Sequence, residues 1–304
     1  MSFNPLRHLA PTLQGYLYIV ITMCIWGSFS LLARLNTYWG IAAWDIIAIR
    51  FGVSALILWP VLWLKRDWHF LFDIKAVILA MFGGVGYSCL VYSAFLLAPV
   101  VHGAVFLNGM IPVATALLML IFLKQRPDKN TKIALIIIGL TLLIMYGLML
   151  KDGLNFGLGD GLFLVCAFAW ASYGVLLKEW QFSAWQVVCS TAIWSAIIYL
   201  PIYGLFIDTN LDNVRLTHLI IQGTFHSIIV MIVATLTYAL AVERLGAFFA
   251  GALACLAPFI SALAAVPLLN EPLNHIMVLG LIGMGLGTVQ PWRFFNKTST
   301  KTRK

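Results

Sequence analysis

The 304 residues are 62% hydrophobic and 10% charged, with a mean hydropathy of +0.96. A soluble domain carries about 25% charged residues, so a water-soluble fold is excluded and a chain that crosses a bilayer many times is implied. The formal charge of +8 then reads as bases at helix ends and tails, not as a nucleic-acid surface.

At about 20 residues per crossing, apolar runs place spans near 14–34, 43–64, 76–98, 101–123, 132–150, 158–178, 183–206, 217–242, 246–269 and 274–292. An all-α integral membrane fold of ten transmembrane helices is expected. Residues 1–13, with Arg7 and His8, form a short N-terminal segment, and 293–304 a basic tail. The first run is too long for a signal-peptide core and lacks a cleavage motif, so it is expected to remain as a helix. Cys24, Cys89, Cys166, Cys189 and Cys255 all fall in apolar runs without a C-x-x-C pair, which suits buried small hydrophobes. The chain has no G-x-x-x-x-G-K-[ST], H-E-x-x-H or G-x-S-x-G. No catalytic residue, metal site or cofactor is therefore expected, and the chain reads as other than an enzyme.

Orientation follows from the bases near helix ends. Fifteen fall on one side: Arg7, Lys65, Arg66, Lys75, Lys124, Arg126, Lys129, Lys132, Lys178, Arg244, Arg293, Lys297, Lys301, Arg303 and Lys304. Arg34, Lys151 and Arg215 fall on the other, and Arg50 lies within a span. This asymmetry predicts both termini in the cytoplasm.

The sequence also repeats itself. W-G-S-F-S-L-L-A-R at Trp26–Arg34 is echoed by W-A-S-Y-G-V-L-L-K at Trp170–Lys178, an offset of 144. Trp44 and Pro60 are answered by Trp185 and Pro201 at 141; Tyr92 and Pro112 by Tyr238 and Pro258 at 146. Four ordered matches at nearly one offset indicate duplication, with halves at 14–150 and 151–292. Each half holds five spans, an odd number, so the second enters from the opposite face. Two inverted five-helix repeats around a central cavity are expected, the usual construction of secondary transporters, with the substrate site near midplane.

Several stretches carry a family likeness: W-G-S-F in helix 1, A-I-R-F-G-V-S-A-L-I-L (48–58) in helix 2, and the proline of helix 4. In the second half E-R-L-G-A (243–247), C-L-A-P-F (255–259) and L-N-E-P-L-N-H-I-M-V-L-G (269–280) continue it. Over roughly residues 14–292 the chain resembles the drug/metabolite transporter superfamily, in its ten-helix bacterial branch with two EamA-type repeats. The resemblance implies a secondary carrier in the bacterial cytoplasmic (inner) membrane, usually an exporter of amino acids, related metabolites or toxic organic compounds; export of small amphipathic metabolites (amino acids, aromatic or cationic organic compounds) by alternating access is expected. It also implies that helices 1, 3, 4, 6, 8 and 9 surround the cavity. An importer of nucleosides, vitamins or similar solutes on the same fold is the alternative, and a membrane enzyme or a lipid-handling or scaffold protein the remoter one. The implied partners are a small-molecule substrate and the bilayer, with no nucleic acid; coupling to a proton or ion, and a monomer or a homodimer, stay open. The chain departs from the family where Lys124-Gln125-Arg126-Pro127 replaces an acidic residue common in the first repeat.

Trp26 and Trp170 fall near mid-membrane, away from the interfacial belt where tryptophans gather. They are candidate cavity residues, with helix packing beside Gly27 and Ala171 as the other reading. Tyr87, Ser88 and Tyr92 in helix 3, Asn108 in helix 4, Tyr173 in helix 6 and Tyr238 in helix 8 offer polar tips on apolar walls, the makeup of a small-molecule pocket. Arg50 is a functional candidate by default, as a contact for a substrate carboxylate, a gate, or an anchor paired with Asp45. His102 and His226 are candidates for proton coupling or for packing. Glu271 is a candidate latch at the outer end of helix 9. Pro112 and Pro258 are expected to bend their helices and serve as gates. Gly283 and Gly287 form a G-x-x-x-G suited to packing or dimerisation.

Overall fold

The computed structural model describes residues 9–99, 102–209, 211–261, 263 and 275–292. Among these are ten helices: α1 (Pro11–Tyr38), α2 (Ala43–Lys65), α3 (Ile74–Leu97), α4 (Gly103–Phe122), α5 (Lys129–Lys151), α6 (Leu158–Trp180), α7 (Ala184–Phe206), α8 (Leu216–Leu245), α9 (Ala247–Ser261) and α10 (His275–Val289). Of these, α2 to α8 are long and apolar enough to span a membrane, and α9 and α10 are shorter apolar helices. Helices are the expected element, because hydrocarbon offers no partner for backbone N–H and C=O groups.

Polar caps set the helix starts. Asp45 accepts the Ala42 amide at 3.2 Å ahead of α2, and Gln186 accepts the Ser183 amide at 3.0 Å ahead of α7. These two capping boxes sit 141 residues apart, the offset already seen for their tryptophans. Asp128 accepts the Thr131 amide at 2.9 Å, which starts α5 at Lys129, ahead of the expected 132. At the other extreme α1 continues past Arg34 to Tyr38.

The two halves interleave. α1 packs along α8, α2 against α7, α3 against α6 and α7, α4 against α6 and α9, and α5 against α10. Two glycines allow close approaches at the helix ends. A Cβ on Gly15 would come within 2.7 Å of Leu245 Cγ, and one on Gly159 within 2.6 Å of Ala98 Cβ. The first contact joins the start of α1 to the end of α8; the second joins the start of α6 to the end of α3. These ends lie on opposite faces of the bundle, here called the near face (start of α1) and the far face (start of α6).

The G-x-x-x-G of α10 faces inward. A Cβ on Gly283 would run into Thr141, and one on Gly287 would approach Ile138 Cγ1 to 2.6 Å, both on α5. Of the two readings, packing or dimerisation, these contacts within the chain bear out packing.

Four helices are irregular. α3 breaks at Gly84 (φ −120°, ψ −119°), and the Val85 amide donates across to Ser195 Oγ of α7 at 2.9 Å. α4 opens with a π-helical segment, Gly103–Gly109, and α8 contains another, Thr224–Ala234. α9 is interrupted at Cys255–Leu256. Pro112 and Pro258 lack the amides that would meet the carbonyls of Asn108 and Ala254, four residues back.

Candidate functional site

A cavity of about 190 Å³ opens among seven helices. Trp26 comes from α1, Arg50 from α2, and Tyr87, Val91, Tyr92 and Phe95 from α3. Leu107, Asn108 and Ile111 come from α4, Trp170 from α6, Val230 and Thr235 from α8, and Ala254, Ala257 and Pro258 from α9. At about 30 Å³ per water, its volume equals about six waters. Its wall residues lie from mid-helix to the far-face ends: Arg50 in the first third of α2, Phe95 two residues before the end of α3.

The floor is aromatic. Trp26 and Trp170 meet edge-to-face with ring centroids 5.2 Å apart and planes at 77°. Tyr238 lies 5.4 Å from Trp26 and 5.3 Å from Trp170, and Tyr87 lies 4.8 Å from Trp170. Beneath them Tyr173 stacks on Tyr238 at 6.3 Å, and its hydroxyl meets Thr191 Oγ1 at 3.5 Å. Edge-to-face and tilted rings at these separations are the favoured aromatic geometries. Two hydrogen bonds join helices in the near half below, and a second pocket, lined by Arg126, Asp128 and Phe248 among others, lies on the near face. Thr22 and Thr237 share a 2.7 Å hydrogen bond between α1 and α8, and Lys178 Nζ at the end of α6 donates to the Glu243 carbonyl at 3.0 Å.

Five of the eight residues singled out for substrate contact, Trp26, Tyr87, Tyr92, Asn108 and Trp170, lie in the cavity wall. The other three lie behind it. Tyr238 is buried against the two tryptophans on the side away from the cavity, with Tyr173 buried beneath it, and Ser88 is buried within α3. Asn108 donates its Nδ2 to the Gly103 carbonyl of its own helix at 3.1 Å, closing the π-helical turn and leaving Oδ1 as the acceptor.

Arg50 reaches the cavity from α2, a helix outside the set that the resemblance implies. It is not anchored by Asp45. That carboxylate takes the Tyr203 hydroxyl at 2.7 Å and Thr209 Oγ1 at 3.0 Å, besides the Ala42 amide, which corrects the pairing considered from sequence. Pro258 is also a wall residue, whereas Pro112 is buried outside it. His102 Nδ1 lies 2.6 Å from Asp160 Oδ1, with both side chains buried, so this pair ties the start of α4 to the start of α6. His226 is fully buried in the π-helical part of α8, edge-on to Phe225 at 5.2 Å, and away from the cavity wall. Glu271 lies outside the described residues.

Sequence reasoning missed the apolar wall. Val91 and Phe95 continue from Tyr87 at i+4 and i+8, so helical spacing carried that signal. Leu107 and Ile111, beside Asn108, are likewise four residues apart. Nothing comparable marks Val230 or Thr235, because the π-helical turn shifts the face that α8 presents.

Residues 13–147 and 157–290 each match the EamA-like transporter family. The chain belongs to that family. A crystal structure with 15% identity superposes with a TM-score of 0.71 over 92% of this chain and 95% of its own. At that identity the likeness shows the fold alone. No curated protein sequence matches. This member of the drug/metabolite transporter superfamily is thus a multi-pass integral membrane transporter, not an enzyme, and its two family matches are its two five-helix repeats.

Proposed function

We propose that this EamA-like transporter exports small amphipathic metabolites, such as amino acids and aromatic organic compounds, by alternating access between its two inverted repeats. The observation that carries this reading is the cavity floored by Trp26 and Trp170, equivalent residues of the two repeats that meet at mid-bundle. A mostly apolar wall with few polar groups (Tyr87, Tyr92, Asn108 and Arg50) suits recognition of such solutes.

The base count supports cytoplasmic termini in a bacterial inner membrane. The far face is then external, and the cavity wall, which runs from mid-helix toward that face, lies in the outer half. Outward transport is the direction that the resemblance implies.

Purified protein in vesicles, loaded with a panel of radiolabelled amino acids, provides the test. Efflux of at least one compound faster than from empty vesicles is expected, and Trp26→Ala and Trp170→Ala should each slow it. Unchanged efflux in both variants would remove the cavity from the transport path.

A further inference from the structure

Among the described residues, Arg50 bears the only formal charge in the cavity wall. Asp45, the nearest acid along α2, is committed to Tyr203, Thr209 and Ala42. Among the described residues no carboxylate lies within ion-pair distance of Arg50, and its buried Nε has no hydrogen-bond partner. What lies beside the guanidinium is the Phe51 ring, with its centroid 5.3 Å away. The side chain is half-buried, and charged groups within membrane helices mark substrate or ion paths.

A scaffolding role does not account for it. The α2–α8 seam at this level is already fastened by two reciprocal hydrogen bonds, Ser54 Oγ to the Ser227 carbonyl and Ser227 Oγ to the Ile49 carbonyl, both 3.0 Å. The other repeat offers a control inside the same chain. The counterpart of Arg50 at the α2/α7 offset is Thr191, a neutral residue whose hydroxyl meets Tyr173. The fold therefore closes around this position without a charge, and the arginine is an addition to one repeat only.

We propose that Arg50 anchors the carboxylate of the transported compound, so that the cavity takes small organic carboxylates and rejects organic cations. This rests on the cavity being the substrate site, as proposed above. The guanidinium supplies the planar donor pair that a carboxylate matches. The apolar remainder of the substrate lies against Trp26, Trp170 and Phe95. Asn108 Oδ1 accepts an N–H where the substrate has one, so zwitterions and simple acids both fit. No described wall residue offers an organic cation a counter-charge, and Arg50 repels it.

Three compounds that share a phenyl ring separate the charges: L-phenylalanine, 3-phenylpropionate and phenethylamine. Binding to the purified protein is read from thermal unfolding in detergent and from quenching of tryptophan fluorescence. The two carboxylates should raise the unfolding temperature with concentration, and phenethylamine should not. Arg50→Gln should weaken 3-phenylpropionate by about tenfold or more, the loss of one charge-assisted hydrogen bond, with Arg50→Lys in between. Phenethylamine binding as well as the carboxylates overturns the proposal, as does undiminished 3-phenylpropionate binding by Arg50→Gln. Should Arg50→Gln fail to fold, the three-ligand comparison on the unaltered protein decides alone. Binding or transport of phenethylamine alone sinks the carboxylate anchor but leaves the cavity as the substrate site. Binding and transport of none of the three sinks both.

Discussion

His102→Ala removes one side of a buried pair that bridges the two repeats, and its cost follows from the geometry. His102 and Asp160 are 2% and 1% exposed, and their Nδ1 and Oδ1 atoms are 2.6 Å apart. The second oxygen of Asp160 accepts the Gly157 amide at 2.7 Å and stays satisfied. The variant therefore leaves a carboxylate half-paired in a site that the surrounding helices shield. Removal of one partner from a buried pair costs about 3–5 kcal/mol; with one oxygen still bonded, about 3 kcal/mol is expected. A double variant, His102→Leu with Asp160→Asn, removes the charge, keeps an oxygen for the Gly157 amide and fills the imidazole volume. It should lie within about 1 kcal/mol of the parent, because buried pairs replaced by apolar groups are often neutral. Unfolding in mixed micelles, run as a double-mutant cycle, reads the coupling directly. A cost below about 1 kcal/mol for His102→Ala, or a double variant equal to the sum of its singles, would refute the reasoning.

Two further substitutions test the packing of the helices around the site. Ser195→Ala strips the acceptor from the Val85 amide at the α3 break, and an orphaned buried amide costs about 1–3 kcal/mol; an unfolding temperature equal to the parent's would show that another group serves that amide. Gly283→Val drives a branched side chain into Thr141 of α5, and overpacking of this kind costs about 1–3 kcal/mol. A changed oligomeric state with unchanged stability would instead place that glycine face between two chains.

Ten helices were legible because each needs its own apolar run, and inversion was legible because five is odd. The pairing of Trp26 with Trp170 was legible as well, since two copies of one motif entering from opposite faces converge at mid-depth. What the sequence hid were features that depend on neighbours. Asp160 reads as a helix cap, and its second partner, His102, lies 58 residues earlier, visible only once α4 and α6 pack. Asp45 reads as a mate for Arg50 until α7 brings Tyr203 against it. Tyr173 and Tyr238 read as wall residues because depth along a helix says nothing of which face meets open space. The π-helical turns of α4 and α8 break the regular spacing on which any count of faces depends.

The contacts at Gly15 and Gly159 bear on how such a chain is made. Each joins a helix of the first repeat to one of the second, and the same is true of the α2–α7 and α5–α10 pairs. A ribosome delivers the first five helices before any of these partners exists. Until α6 to α10 arrive, the grooves of the first repeat face lipid or the insertion machinery. Two copies of one gene segment have thus become a single folding unit, and a break in the loop between α5 and α6 should yield fragments that are stable only when made together.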